Sequence, residues 1–272
     1  MKQKSKALRT PPQIIEVVGP PGSGKTTISK ALATQDPNII MGAFPYFRNI
    51  HNFGFFGKNI ILLLPLLFNI YRYNDSQQPK RGFIKDFISF PLTLIPGQLN
   101  RNNEFLAQRD IALMTILNGW YQVLKQWARK KDSSIILDEG PICLMAKLTG
   151  FGSQRLQKSQ YALQWWDSMF NEWAQALNII VKLETPNLTL MKRIRARRES
   201  FEFFELSDKE VIQYLTKINT AQEDVISHLQ SRATGIVTLR FNTIQESLEL
   251  MAEKIIATYS QMAEKVSSNS SF

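Results

Sequence analysis

A doubly wound α/β fold built on a parallel sheet is what this sequence predicts, and three patterns predict it. Short β-branched runs alternate with longer stretches of helical period. Each run reads as apolar throughout, as strands covered on both faces do. The first run ends in a Gly/Pro cluster that opens directly into a helix. Composition agrees: of 272 residues, 44% are hydrophobic and 21% charged, with 13 Gly and 12 Pro, which excludes a collagen-like or mainly disordered chain.

Taken in order, Ile14-Ile15-Glu16-Val17-Val18 is the first strand and Thr26–Thr34 the first helix, with Ile39–Met41 a candidate second strand. Asn103–Lys131 repeats apolar residues at helical spacing (Phe105, Leu106, Ile111, Leu113, Leu117, Tyr121, Leu124, Trp127) and feeds a buried strand, Ser134–Leu137, that ends in Asp138. Gly150-Phe151-Gly152 breaks the chain before an amphipathic stretch, Ser159–Leu177. Asn178–Leu183 reads as a strand, Leu188–Arg198 and Asp208–Gln230 as helices, Gly235–Leu239 as a last strand and Thr243–Met262 as a last helix. Ser267–Ser271 reads as a solvated tail.

The longest stretches free of charge, Phe87–Asn100 and Ile111–Leu124, have 14 residues each, short of the roughly 18–20 a membrane-spanning helix needs. The basic N-terminus lacks the apolar block of a secretory signal, and the single cysteine, Cys143, has no intrachain partner. The expected compartment is the cytoplasm. The net charge of +10 favours an anionic partner, but the surplus gathers at Lys2, Lys4, Lys6 and Arg9 and again over Lys192–Arg198. A tail and one helix, without interleaved aromatic residues, argue against nucleic acid as that partner. With only His51 and His228, a histidine-rich metal site or Cys-His dyad has little material.

Gly19-Pro20-Pro21-Gly22-Ser23-Gly24-Lys25-Thr26 satisfies G-x-x-x-x-G-K-[ST], after a strand and before a helix. Glycines let several backbone N–H groups turn toward one anion, and the helix N-terminus adds its positive end. Gly19, Pro20, Pro21, Gly22, Ser23, Gly24, Lys25, Thr26 and Thr27 are therefore the expected site for a nucleoside triphosphate. ATP is the expected cofactor, although GTP fits the same cradle. Lys25 reaches the β- and γ-phosphates and Thr26 ligates Mg²⁺. Ile135-Ile136-Leu137-Asp138-Glu139 delivers acids at the C-terminal edge of a strand, where open parallel sheets bind ligands. Asp138 is expected to hold Mg²⁺ directly or through water, and Glu139 to orient or deprotonate a nucleophile.

With these segments, the chain resembles the P-loop kinases, nearest the thymidylate kinase and deoxynucleoside kinase group. Phe105-Leu106-Ala107-Gln108-Arg109 resembles the F-x-A-x-R segment whose arginine faces the acceptor, and Leu144–Gly152 resembles the family's segment just beyond the strand-end acid. Leu183-Glu184-Thr185-Pro186 with Arg193-Ile194-Arg195-Ala196-Arg197 resembles the opening of the lid. The resemblance covers Ile14–Thr34 and about Asn103–Gln261, and only the P-loop is specific alone. It implies a P-loop NTPase fold over 13–264, with a helical acceptor insertion at 42–102 and an arginine-rich lid at 184–206, between flexible tails at 1–12 and 265–272. It also implies Phe105 and Arg109 as acceptor-binding residues, though Arg109 alone reads equally as a surface or salt-bridging arginine. Lys25, Asp138, Glu139, Arg193 and Arg197 are the implied catalytic set, the two arginines lying four apart on one helix face.

Two departures bear on the acceptor. The family places an arginine after the strand-end acid, which in thymidylate kinases holds the acceptor's phosphate. Here Glu139 stands there, and a carboxylate repels a phosphate monoester. A hydroxyl on a nucleoside, sugar or other small alcohol is then expected rather than a nucleoside monophosphate. The second departure is Gly42–Gly97, which holds nine of the 17 Phe and no Arg-Glu-Pro segment. It reads as core helices over the sheet, or as an apolar acceptor pocket or membrane-facing flap at 44–99. The rival class is a P-loop ATPase acting as a switch, in which Glu139 polarises water.

Overall fold

The computed structural model describes residues 12–42, 133–158, 160–197 and 205–269, together with 110, 113, 114, 117, 124 and 203. Five strands form one parallel sheet: β1 (Ile14–Val18), β2 (Ile39–Gly42), β3 (Ser134–Leu137), β4 (Ile179–Glu184) and β5 (Val237–Asn242), in the spatial order β2-β3-β1-β4-β5. Every described pairing is parallel, with Ile15 of β1 beside Ile136 of β3 and Ile179 of β4. β-Branched residues and leucine are the majority in the strands, which suits a pleat packed on both sides. Because all five run the same way, the chain leaves β1, β3 and β4 at one edge, and each exit carries residues singled out above.

Helices cover both faces. On one face lie α1 (Lys25–Gln35) and α7 (Leu248–Asn269), where Ile28, Leu32, Ala252 and Ile255 meet Ile15, Val17, Ile136 and Val181. Burying Ile28 and Leu32, at 1% and 0% exposure, contributes about 1.5–3 kcal/mol each. On the other face lie α2 (Pro141–Phe151), the short α3 (Arg155–Lys158), α4 (Gln160–Ala176) and α6 (Asp208–Gln230). Their apolar faces pack with Leu113, Met114, Leu117 and Leu124 of the expected long helix, all four helical and buried. Between β4 and α6, α5 (Asn187–Ala196) sends Leu190 and Ile194 into a small separate cluster with Phe203, Val211 and Leu215.

Several expectations are corrected. The strands are not apolar throughout, since Glu16 of β1 and Lys182 of β4 are fully buried. The break expected over Gly150-Phe151-Gly152 falls at Gly152, the cap of α2; the helix itself runs through Gly150, where a Cβ would stand 3.3 Å from Ala221, so that glycine lets α2 approach α6 closely. The last helix begins at Leu248 instead of Thr243 and continues to Asn269, into the segment read as a tail. The N-terminal tail through residue 11, the insertion beyond Gly42, Phe105 and Arg109 lie outside the described residues. Among the described residues, no helix is long and apolar enough to cross a membrane.

Candidate nucleotide site

The loop from Gly19 to Gly24 turns because two of its glycines adopt positive φ, 84° at Gly22 and 98° at Gly24, a region costly to other residues. Gly19 is a glycine for a different reason: a Cβ there would meet the Ser23 hydroxyl at 2.5 Å and the Leu183 carbonyl at 3.1 Å. The loop is thereby drawn against β4. Helix α1 then begins at Lys25 with no side-chain cap and no acid in its first turn, leaving its amides and dipole to favour an anion. The Lys25 ammonium lies over the loop, donating to the carbonyls of Gly19 at 2.8 Å and Pro20 at 3.2 Å.

From the neighbouring strand, β3, comes the acidic turn. Thr26 Oγ1 donates to Asp138 Oδ2 at 3.0 Å, joining the first turn of α1 to the end of β3. A hydroxyl and a carboxylate side by side are hard oxygen donors of the kind Mg²⁺ takes, completed by phosphate oxygens and water. Among the described residues no group of three or more His, Cys, Asp or Glu could hold a metal. Glu139 projects beside Asp138, about half exposed, with Lys147 Nζ at 3.8 Å from its Oε2.

The third contribution comes from beyond β4. Arg193 Nη1 donates to the Gly22 carbonyl at 3.2 Å, which places a guanidinium on the phosphate loop. Arg195 faces elsewhere, bonding the carbonyls of Phe203 and Leu206 and the Asp208 carboxylate. Helix α5 ends at Ala196, and Arg197 is its extended, exposed cap residue. Its N–H still bonds the Arg193 carbonyl at 3.2 Å, and Arg193 is the one of the pair whose side chain bonds the loop. Of the remaining sequence-predicted residues, Thr27 is exposed on the first turn of α1. Phe105 and Arg109 lie outside the described residues, while their neighbour Asp110 is buried and accepts the Ser153 N–H at 2.8 Å.

Two buried charges were not expected. Glu16 accepts the N–H of Ile142 at 3.0 Å and of Cys143 at 3.1 Å, at the start of α2. Burial raises its carboxyl to about 8 against the pull of those amides and of Lys25. Lys182 donates to Asn219 and Gln222, each at 2.8 Å, and lies 3.6 Å from Glu223; burial lowers its ammonium to about 8 while Glu223 opposes the shift. The signal in the sequence was a lone charge inside each strand. Cys143 is buried, and burial raises its thiol. His228 stacks on Phe170 at 5.1 Å and bonds the Asp224 carbonyl, away from the loop.

No family model and no curated protein matches the chain. Among solved structures, deoxyadenosine kinase from M. mycoides with dCMP and a flexible dCDP bound as products superposes with a TM-score of 0.50 at 14% identity, covering 92% of this chain and 100% of that one. The same enzyme with bound dCTP gives 0.49 at 14% identity, with the same coverage. The YorR protein of Bacillus subtilis, in complex with phosphorylated GDP, gives 0.43 at 15% identity, covering 91% and 96%. At this identity the likeness is one of fold: a parallel α/β sheet covered by helices.

Proposed function

We propose that this protein is a phosphotransferase that moves the terminal phosphoryl group of a nucleoside triphosphate, ATP foremost, to a hydroxyl on a small uncharged acceptor. The observation that carries this reading is the meeting of three separate segments at one sheet edge: Lys25 over the loop, Thr26 against Asp138, and Arg193 on Gly22. Phosphoryl transfer demands positioning and charge stabilisation more than covalent chemistry, and these are the parts that provide both.

In this reading the loop amides and Lys25 hold the β- and γ-phosphates. Thr26 and Asp138 would hold Mg²⁺, whose contribution is to neutralise phosphate charge. Arg193 stabilises the equatorial oxygens of the transferring group. Glu139, half exposed next to Asp138, orients the acceptor hydroxyl or takes its proton. Its charge disfavours a phosphorylated acceptor, leaving a nucleoside, a sugar or another small alcohol. The fold shared with a deoxyadenosine kinase makes nucleosides the first class to try.

The test is incubation of purified protein with Mg²⁺, γ-labelled ATP and separate pools of nucleosides, sugars and nucleoside monophosphates, beside Lys25→Ala. Label on an uncharged acceptor in wild type and not in the variant supports the reading. Label released only as free phosphate, at a rate the pools leave unchanged, points to an ATPase. Efficient labelling of monophosphates contradicts the role given to Glu139.

A further inference from the structure

Glu16 is buried in the middle of the central strand, and its bonds reach away from that strand. One carboxyl oxygen accepts the Ile142 N–H and the other the Cys143 N–H, both in the first turn of α2. Gly140, immediately before that helix, has φ −102° and ψ −161°, a conformation open to any residue. It is confined to glycine by packing instead, because a Cβ there would stand 2.5 Å from Glu16 Cδ. Asp138, the partner of Thr26, lies two residues before Gly140, and Gly19 opens the phosphate loop three residues after Glu16. One side chain thus ties the strand that carries the loop to the turn that carries the acids.

Capping α2 needs no such group. A serine or aspartate at the N-cap does that at the surface, whereas a carboxyl in an apolar core carries a large desolvation cost. What the buried group adds is a fixed distance between two parts of one site. We propose that Glu16 is a positioning residue: by clamping the start of α2 from within the sheet, it holds the Asp138–Glu139 turn where Asp138 and Thr26 share one Mg²⁺ ion. This rests on the phosphotransferase reading of the same site and adds the residue that sets its geometry.

Two substitutions attack the clamp from opposite sides. Glu16→Gln keeps the shape but offers one acceptor and one donor, so one α2 amide faces an NH₂ group. Gly140→Ala leaves Glu16 intact and pushes it with a methyl group. Neither residue lies in the phosphate loop, and the charge of Lys25 is the one link from Glu16 to it that enters the Glu16 shift. The experiment is calorimetric titration of ATP into the full chain, with Mg²⁺ and with chelator, alongside thermal unfolding.

In wild type, Mg²⁺ is expected to tighten ATP binding. In both variants, affinity in chelator is expected to stay unchanged while the tightening by Mg²⁺ falls by about tenfold or more, the usual consequence of disturbing an outer-shell partner of a metal site. Variants that melt lower yet keep the full tightening would show a merely structural cap and overturn the proposal. Should Glu16→Gln fail to fold, Gly140→Ala alone decides on the same criterion. A wild type that binds ATP without any effect of Mg²⁺ overturns the phosphotransferase reading itself, and the positioning role with it.

Discussion

Arg193 Nη1 donates to the Gly22 carbonyl at 3.2 Å across 171 residues of sequence, so the helix after β4 places its charge on the phosphate loop. Arg193→Ala is expected to lower kcat by about 100-fold, the scale for removing one preorganised donor at a developing charge, with a smaller change in ATP affinity. Steady-state kinetics in ATP check it. A loss confined to KM would make Arg193 a ground-state binder only.

Arg195, two residues on, is expected to behave oppositely. Its guanidinium ties down the carbonyls of Phe203 and Leu206, and its ion pair with the exposed Asp208 contributes little. Arg195→Ala should lower stability by about 1–3 kcal/mol through the lost carbonyl bonds and leave kcat of the folded protein unchanged. Urea denaturation beside activity separates the two arginines.

The buried charges predict the pH dependence of stability. Glu16 ionises near 4.5 when unfolded and near 8 when folded, so the folded state holds its proton longer and stability falls as pH rises between those values. Lys182 loses its proton near 10.5 unfolded and near 8 folded, so the unfolded state binds more protons above pH 8 and stability rises to pH 10.5. Together they give a minimum near pH 8. Denaturation across this range checks it: Glu16→Gln should flatten the lower limb and Lys182→Met the upper. Unchanged limbs would show that neither group titrates with folding.

Gly150 sets the approach of α2 to α6, with room for a Cβ only 3.3 Å from Ala221. Gly150→Val is expected to cost about 1–3 kcal/mol by overpacking, read as a shift in urea midpoint, while nucleotide binding is retained. A variant as stable as wild type would mean that the two helices can separate freely.

Where local chemistry agrees with the fold, the sequence was legible. The boundaries of α6 were readable because Ser207 and Glu210 form a capping box before a regular apolar stripe, and β1 and β3 because β-branched runs end at Gly19 and Asp138. The start of α7 was not, because the turn before it holds no Gly or Pro: the Asn242 side chain accepts the Ile244 N–H and Glu246 reaches back to Asn242, an Asx turn that spacing alone conceals. The end of α5 at Ala196 likewise carries no breaker, so Arg197 read as helical. Within the site, Lys25, Thr26 and Asp138 were legible through their motifs. Glu16 was hidden because its meaning depends on Gly140 and α2, which pack against it only in the fold.

The most direct measurement is calorimetric titration of ATP into wild type and Asp138→Asn, each with Mg²⁺ and with chelator. A single nucleotide site built from the loop and the acidic turn predicts that Mg²⁺ tightens binding to wild type and that Asp138→Asn removes this gain while affinity in chelator is kept. Equal gains in both proteins would contradict it, since the contact between Thr26 and Asp138 would then have no part in holding the metal.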